Sequence, residues 1–217
     1  DETIVVFTAD HGHSLGDHDY SFHHGDFLYE SSVRIPLIIR WPDKVPAGLV
    51  VGQQVRSIDV APTLLELARV PAGLNMDGTS LASFWKDANQ PPRDAYLESD
   101  VKMMAANTRR TVDGVLGKLR ALRHGGFKLV MTPSYDGPVF ELYDLIQDPE
   151  EQNNLAEAEE HHEIFTELLA SLLASTPADE RAAFTKIDRK AIDGESAGES
   201  VLGKSDRELL KALGYIN

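Results

Sequence analysis

The stretch Thr8–Gly25, TADHGHSLGDHDYSFHHG, holds five of the chain's eight histidines and three aspartates. Together these side chains offer two kinds of chemistry. A carboxylate oxygen and a neutral imidazole nitrogen can share a divalent cation, and an imidazole near its ordinary pKa can pass a proton to a departing oxygen. Asp10 and His11 are chain neighbours, which point to opposite faces of extended backbone, so they reach one ion only if the chain turns. Gly12 supplies that freedom. A hard cation such as Ca²⁺ takes six to eight oxygens, so further carboxylates from outside this window are required. The competing readings are a polar loop whose histidines are solvated or bonded to backbone, and a surface loop that binds metal through its histidine tract. Spacing alone leaves all three open.

Charge narrows the ligand. The formal net charge is -14, which argues against a nucleic-acid surface, because phosphate backbones are held by clustered Lys and Arg. An anionic substrate therefore needs a local positive site, and a metal ion provides one. The chain has no cysteine, which excludes disulfides, zinc-thiolate sites and a thiol nucleophile within it. The longest apolar runs, such as Pro36–Ile39, are far too short for a membrane span.

The elements that must position this window read as an α/β layer. Residues 3–8, TIVVFT, form a β-branched run expected to be a strand covered on both faces, with Asp10 and His11 just past its carboxyl end, where loops of α/β sheets gather ligands. Val33–Arg40 reads as a second buried strand, and 49–57 as a short extended piece. Asp59 is placed to cap a helix running to about Arg69, with Pro62 in its first turn. The NQPPRD segment at 89–94 marks a boundary. Beyond it lie four short strand candidates, Ala95–Ser99, Leu119–Arg123, Phe127–Met131 and Val139–Leu145, with Gly125-Gly126 at hairpin spacing. A helix over about 156–174 follows, its stripe formed by Phe165, Leu168, Leu169, Leu172 and Leu173. The division expected is 1–92 for the α/β portion, 93–175 for a small antiparallel sheet with a helix, and 176–217 for a wrapping tail ending in a short helix over 205–213. The chain starts on what reads as the lead-in to a strand, so a fragment is expected.

TADHGHSLGDH, HHGDFLYESSVRIPLII, VRSIDVAPTLLELARVP, DGTSL, RALRHGGFKLV, ELYDLIQDPEEQNNLA and LLKALGYI, in this order, resemble the C-terminal half of the sulfatase family of the alkaline phosphatase superfamily. The resemblance implies an α/β fold: the C-terminal portion of an alkaline-phosphatase-like sheet domain followed by a small antiparallel sheet-plus-helix subdomain. It implies that Asp10 and His11 are ligands of a divalent metal, commonly Ca²⁺ with Mn²⁺ or Zn²⁺ in some members, completed by acidic residues of the other half. His24 stands where the family has a basic residue that contacts sulfate and assists the leaving oxygen, and His23 beside it is open to the same role. His18 is a weaker candidate for lining the pocket, set against a loop histidine bonded to Asp17 or backbone. His13 and Asp19 are read as solvent-facing, Glu30 and Arg34 as a structural pair, His124 and Lys128 as surface residues, and His161-His162 as a solvated face.

One departure matters. The family's nucleophile is a formylglycine made from Cys or Ser in a C/S-x-P-x-R motif, and this chain has neither Cys nor that motif. The formylglycine is expected in a missing N-terminal half, which makes that half a partner and leaves this chain inactive alone. The function implied is hydrolysis of a small-molecule or glycan sulfate ester, in an enzyme exported to the periplasm or the extracellular space as is common for the family. The alternatives are a phosphonate or phosphate ester hydrolase of the same superfamily, and a noncatalytic remnant acting as a binding module.

Overall fold

The computed structural model describes residues 2–71, 75–87, 90–99, 117–134 and 137–184. In chain order the elements are β1 (Val5–Thr8), β2 (Ser14–Leu15), β3 (Ser21–His23), α1 (Glu30–Val33), β4 (Leu37–Arg40), α2 (Val60–Ala68), β5 (Ala95–Ser99), β6 (Leu119–His124), β7 (Phe127–Thr132), β8 (Val139–Asp144) and α3 (His162–Ser175). The chain divides into two compact units, one holding residues up to Asp10 with Ile35–Ala95, the other holding His11–Arg34 with Tyr96 onward. The proposed terminal helix over 205–213 lies outside the described residues. Among the described residues no helix is long and apolar enough to cross a membrane.

In the first unit β1 pairs antiparallel with β4, Val6 opposite Ile39 and Phe7 opposite Ile38. The expectation that residues 3–8 are covered on both faces fails here: Phe7 and Ile38 are each 60% exposed and Val5 is 48% exposed. The β-branched composition fits a pleated strand, but a two-stranded ribbon has only one layer to lie against. Residues 49–56 carry no strand. Asp59 does not cap α2 through its side chain. Its fully buried carboxylate instead accepts from the Arg56 backbone N–H at 3.1 Å and the Thr79 N–H at 2.8 Å, and pairs with Arg56 at 2.9 Å and Arg93 at 3.1 Å. Thr63 completes the junction by donating to the Asp59 carbonyl and accepting from the Leu81 N–H.

The second unit is built on the sheet β5-β6-β7-β8, whose last three strands are antiparallel neighbours. Alternation along each strand gives it two apolar faces. Leu122, Leu129, Met131 and Leu142 pack against Phe165, Leu168, Leu169, Leu172 and Leu173 of α3. The opposite face, with Leu119, Ala121, Val130 and Tyr143, packs against Tyr20, Phe27, Leu28 and Tyr29. The helical stripe read from the sequence is the stripe observed, although α3 starts at His162, after a 3-10 turn over Glu159–His161. The loop that carries the histidines is therefore one of the two layers that bury this sheet.

Candidate active site

The His11–His13 turn is seated on α1. The Gly12 N–H donates to the Ser32 carbonyl at 2.8 Å, and a Cβ at Gly12 would stand 2.1 Å from the Ser31 carbonyl oxygen, so only glycine permits this approach. His11 Nδ1 lies 2.8 Å from the Gly12 carbonyl oxygen. A carbonyl only accepts, so Nδ1 carries the proton of the neutral ring and the lone pair falls on Nε2, the arrangement an imidazole needs to ligate a metal.

His24 is brought to the same place from the other direction. Its ring stacks on that of His11 with centroids 3.9 Å apart and planes at 21°, and His13 stands at 5.3 Å from it. The segment bearing His24 is fixed at several backbone points. Tyr20 Oη, in the buried core, donates to Asp26 Oδ2 at 2.6 Å and lies 3.3 Å from the His24 carbonyl. Burial, followed by the Asp26 carboxylate, pushes the Tyr20 phenol well above its ordinary pKa, so it remains a donor. The Ser99 hydroxyl donates to the Gly25 carbonyl. Tyr29 Oη donates to Glu141 at 2.8 Å, where Tyr143 Oη also donates at 2.7 Å.

Asp10 is exposed and ends a segment of the first unit, so His11 and His24 are the candidates brought together within one unit. His23 lies in β3, opposite Ser14. His18 is buried and stacks face to face on Tyr29, centroids 3.6 Å apart. With Leu15, Gly16, Asp17, Asp19, Glu150 and Gln152 it lines a cavity of about 600 Å³. His18 and Asp19 adopt φ of 56° and 58°, left-handed conformations that are uncommon outside glycine. Among the described residues no three His, Asp or Glu side chains gather as a metal cage. A carboxylate and an imidazole such as Asp10 and His11 have the donor chemistry of a cation ligand pair.

Two sequence readings are corrected by the network beneath α1. Lys128 is fully buried, not at the surface. Glu30 pairs with it at 3.1 Å and with Arg123 at 2.8 Å rather than with Arg34, which is exposed. Lys128 Nζ also meets Glu151 Oε1 at 2.5 Å and donates to the Leu28 carbonyl at 2.9 Å. The Glu30 N–H donates to Glu151 Oε2 at 2.6 Å. Burial pushes the Glu151 carboxyl up, opposed by the adjacent Lys128 ammonium. The signal in the sequence was a lone lysine inside the otherwise apolar FKLVM run: a strand buried on both faces obliges such a charge to find partners.

A family profile, N-sulphoglucosamine sulphohydrolase, C-terminal, matches residues 16–177. The chain is 30% identical over 211 residues to an N-acetylglucosamine-6-O-sulfatase of Bacteroides thetaiotaomicron, covering 97% of this chain and 35% of that protein. It is similar, at 30% identity and a TM-score of 0.66, to a structure of a protein in complex with its substrate D-glucosamine-2-N,6-O-disulfate, over 80% of this chain and 34% of that one. A phosphonate monoester hydrolase of Agrobacterium radiobacter gives a TM-score of 0.63 at 26% identity, over 79% of this chain and 34% of the other. The chain thus spans about a third of the length of these relatives. With the profile covering most of its length and the fold shared with these neighbours, the chain belongs to the sulfatase family of the alkaline phosphatase superfamily, as the C-terminal domain of N-sulphoglucosamine sulphohydrolase type.

Proposed function

We propose that this chain is the C-terminal portion of a metal-dependent sulfuric ester hydrolase acting on a sulfated sugar. The observation that carries the reading is the stacked His11–His24 pair, in a chain of a family whose relatives are named as sugar sulfatases. Asp10 and His11 would hold a divalent cation, Ca²⁺ by family habit with Mn²⁺ or Zn²⁺ as variants. When bound, the cation offsets negative charge on the ester oxygens. His24 would contact the sulfate and protonate the departing oxygen. The formylglycine would come from polypeptide outside this sequence, and the exposed apolar face of β1 and β4 suits cover by such polypeptide. Hydrolysis of phosphonate or phosphate esters is the second reading, favoured by the phosphonate monoester hydrolase neighbour.

The test uses the full-length protein with matched sulfate, phosphate and phosphonate esters, before and after chelation and with Ca²⁺, Mn²⁺ or Zn²⁺ restored. Hydrolysis of the sulfate ester, lost on chelation and in Asp10→Ala and His11→Ala, is expected. Preference for the phosphonate ester would move the assignment to the second reading. No hydrolysis of any ester by the metal-loaded protein would leave a binding module.

A further inference from the structure

Both imidazoles of the pair depend on one short element. His11 is seated on α1 through the Gly12 N–H to Ser32 carbonyl bond and the close approach of Gly12 to Ser31. His24 lies on the segment that runs directly into α1, through Leu28, Tyr29 and Glu30. A helix of four residues has no stability of its own in water, so something outside must hold it. That hold is ionic and buried. At the N-terminal end of α1, Glu151 receives the Glu30 N–H while Lys128 grips the Glu30 side chain, Glu151 and the Leu28 carbonyl at once. Lys128 is fully buried and Glu151 is 1% exposed, and Glu151 takes a left-handed φ of 56° to make its contacts. Neither residue belongs to the apolar cluster that the sheet forms with α3.

We propose that Lys128 and Glu151 are positioning residues: acting through α1, they hold the His11 and His24 imidazoles in register with each other. The apolar layer fixes where the loop lies, and a directional buried charge pair fixes the angle and height of α1, to which both rings are tied. Removing the lysine leaves the buried Glu151 carboxylate without its counter-charge beside Glu30, which keeps Arg123, and takes away the Leu28 tether at the start of the helix. The rings then separate, while the hydrophobic layers keep the domain folded.

The readout is taken on the full-length protein with ¹³C-labelled histidine. Stacked rings at 3.9 Å give a cross-relaxation signal between the His11 and His24 imidazole protons. Lys128→Met is expected to lose that signal. The catalytic expectation rests on the hydrolase reading: Lys128→Met lowers kcat about 10- to 100-fold with a smaller change in KM, the scale of losing an outer support of a site. Lys128→Arg restores both in part. Glu151→Gln, which keeps Lys128 paired with Glu30, shows the same change more weakly and serves if Lys128→Met does not fold. Glu180→Ala, which breaks an ion pair with Arg120 on the same sheet away from α1, keeps the signal at a matched loss of Tm. Gly12→Ala combined with Lys128→Met gives less than additive losses, because both act through α1. An intact ring signal in Lys128→Met, or loss of the signal in Glu180→Ala in step with its Tm, overturns the proposal. If the signal is lost in Lys128→Met while the wild-type protein hydrolyses no ester, the positioning role stands and the hydrolase reading falls.

Discussion

Single residues in this chain act mainly by concentrating polar contacts where the core is thin. Asp59 is the clearest case: burial raises its carboxyl, but the Arg56 guanidinium and the Thr79 and Arg56 amides outweigh that and hold it below the usual range. The folded pKa lies under the unfolded one, so the stabilisation is present above the ordinary carboxylate range and is lost as pH falls through the folded value. Asp59→Ala leaves two guanidiniums and two backbone amides without their acceptor. It is expected to destabilise the first unit by about 3 kcal/mol at neutral pH, with the gap to wild type narrowing on acidification, as urea titrations at neutral and low pH would measure. Gly78 lies beside the same junction: a Cβ there would stand 1.9 Å from the Ile58 carbonyl oxygen, so the glycine of the DGTSL block is fixed by backbone contact.

Elements explain why some of the fold was legible and some was not. The four strands beyond residue 94 and the apolar stripe of α3 follow from local periodicity, which the sheet and helix of the second unit repeat nearly residue for residue. Periodicity could not show the stacking of His11 on His24, because it depends on Gly12 meeting Ser31 and Ser32 across a loop. Lys128 is not legible as buried because its partner Glu30 lies 98 positions away from it and 121 positions from Glu151, the third member of the network. The lysine inside FKLVM announces that partners are needed, but nothing local says which. At the end of α2, Arg69 takes a left-handed φ of 56° while its N–H bonds back to Glu66 and Leu65. Arg69→Gly removes the Cβ clash of that conformation and is expected to raise stability by about 1 kcal/mol, read as a rise in the urea midpoint. Leu172→Ala in α3 deletes a fully buried side chain from the larger core and is expected to cost about 2–5 kcal/mol by the same measurement.

At the scale of the whole molecule the two units differ in how much they bury. The second holds two apolar layers on one sheet. The first has Leu81 and Phe84 as its buried large apolar residues among those described, and it leaves Val5, Phe7, Ile38, Val50 and Val70 at 48% exposure or more. Amide hydrogen exchange of this chain is therefore expected to be faster in β1, β4 and α2 than in β6, β7 and α3. The open face should also bind a hydrophobic dye and broaden the elution profile in size-exclusion chromatography, and Phe7→Ser with Ile38→Ser should reduce both.

The network around Lys128 also decides how this gene can be cut. A shortened version beginning near residue 95, where the composition changes, would retain the sheet and α3 but discard Leu28 and Glu30, two of the three partners of the lysine ammonium. Such a truncation would also bare the apolar surface that Tyr20, Phe27 and Tyr29 now cover. A dissection that keeps these contacts joins His11–Arg34 to Tyr96 and the residues after it, along the division of the chain into two compact units.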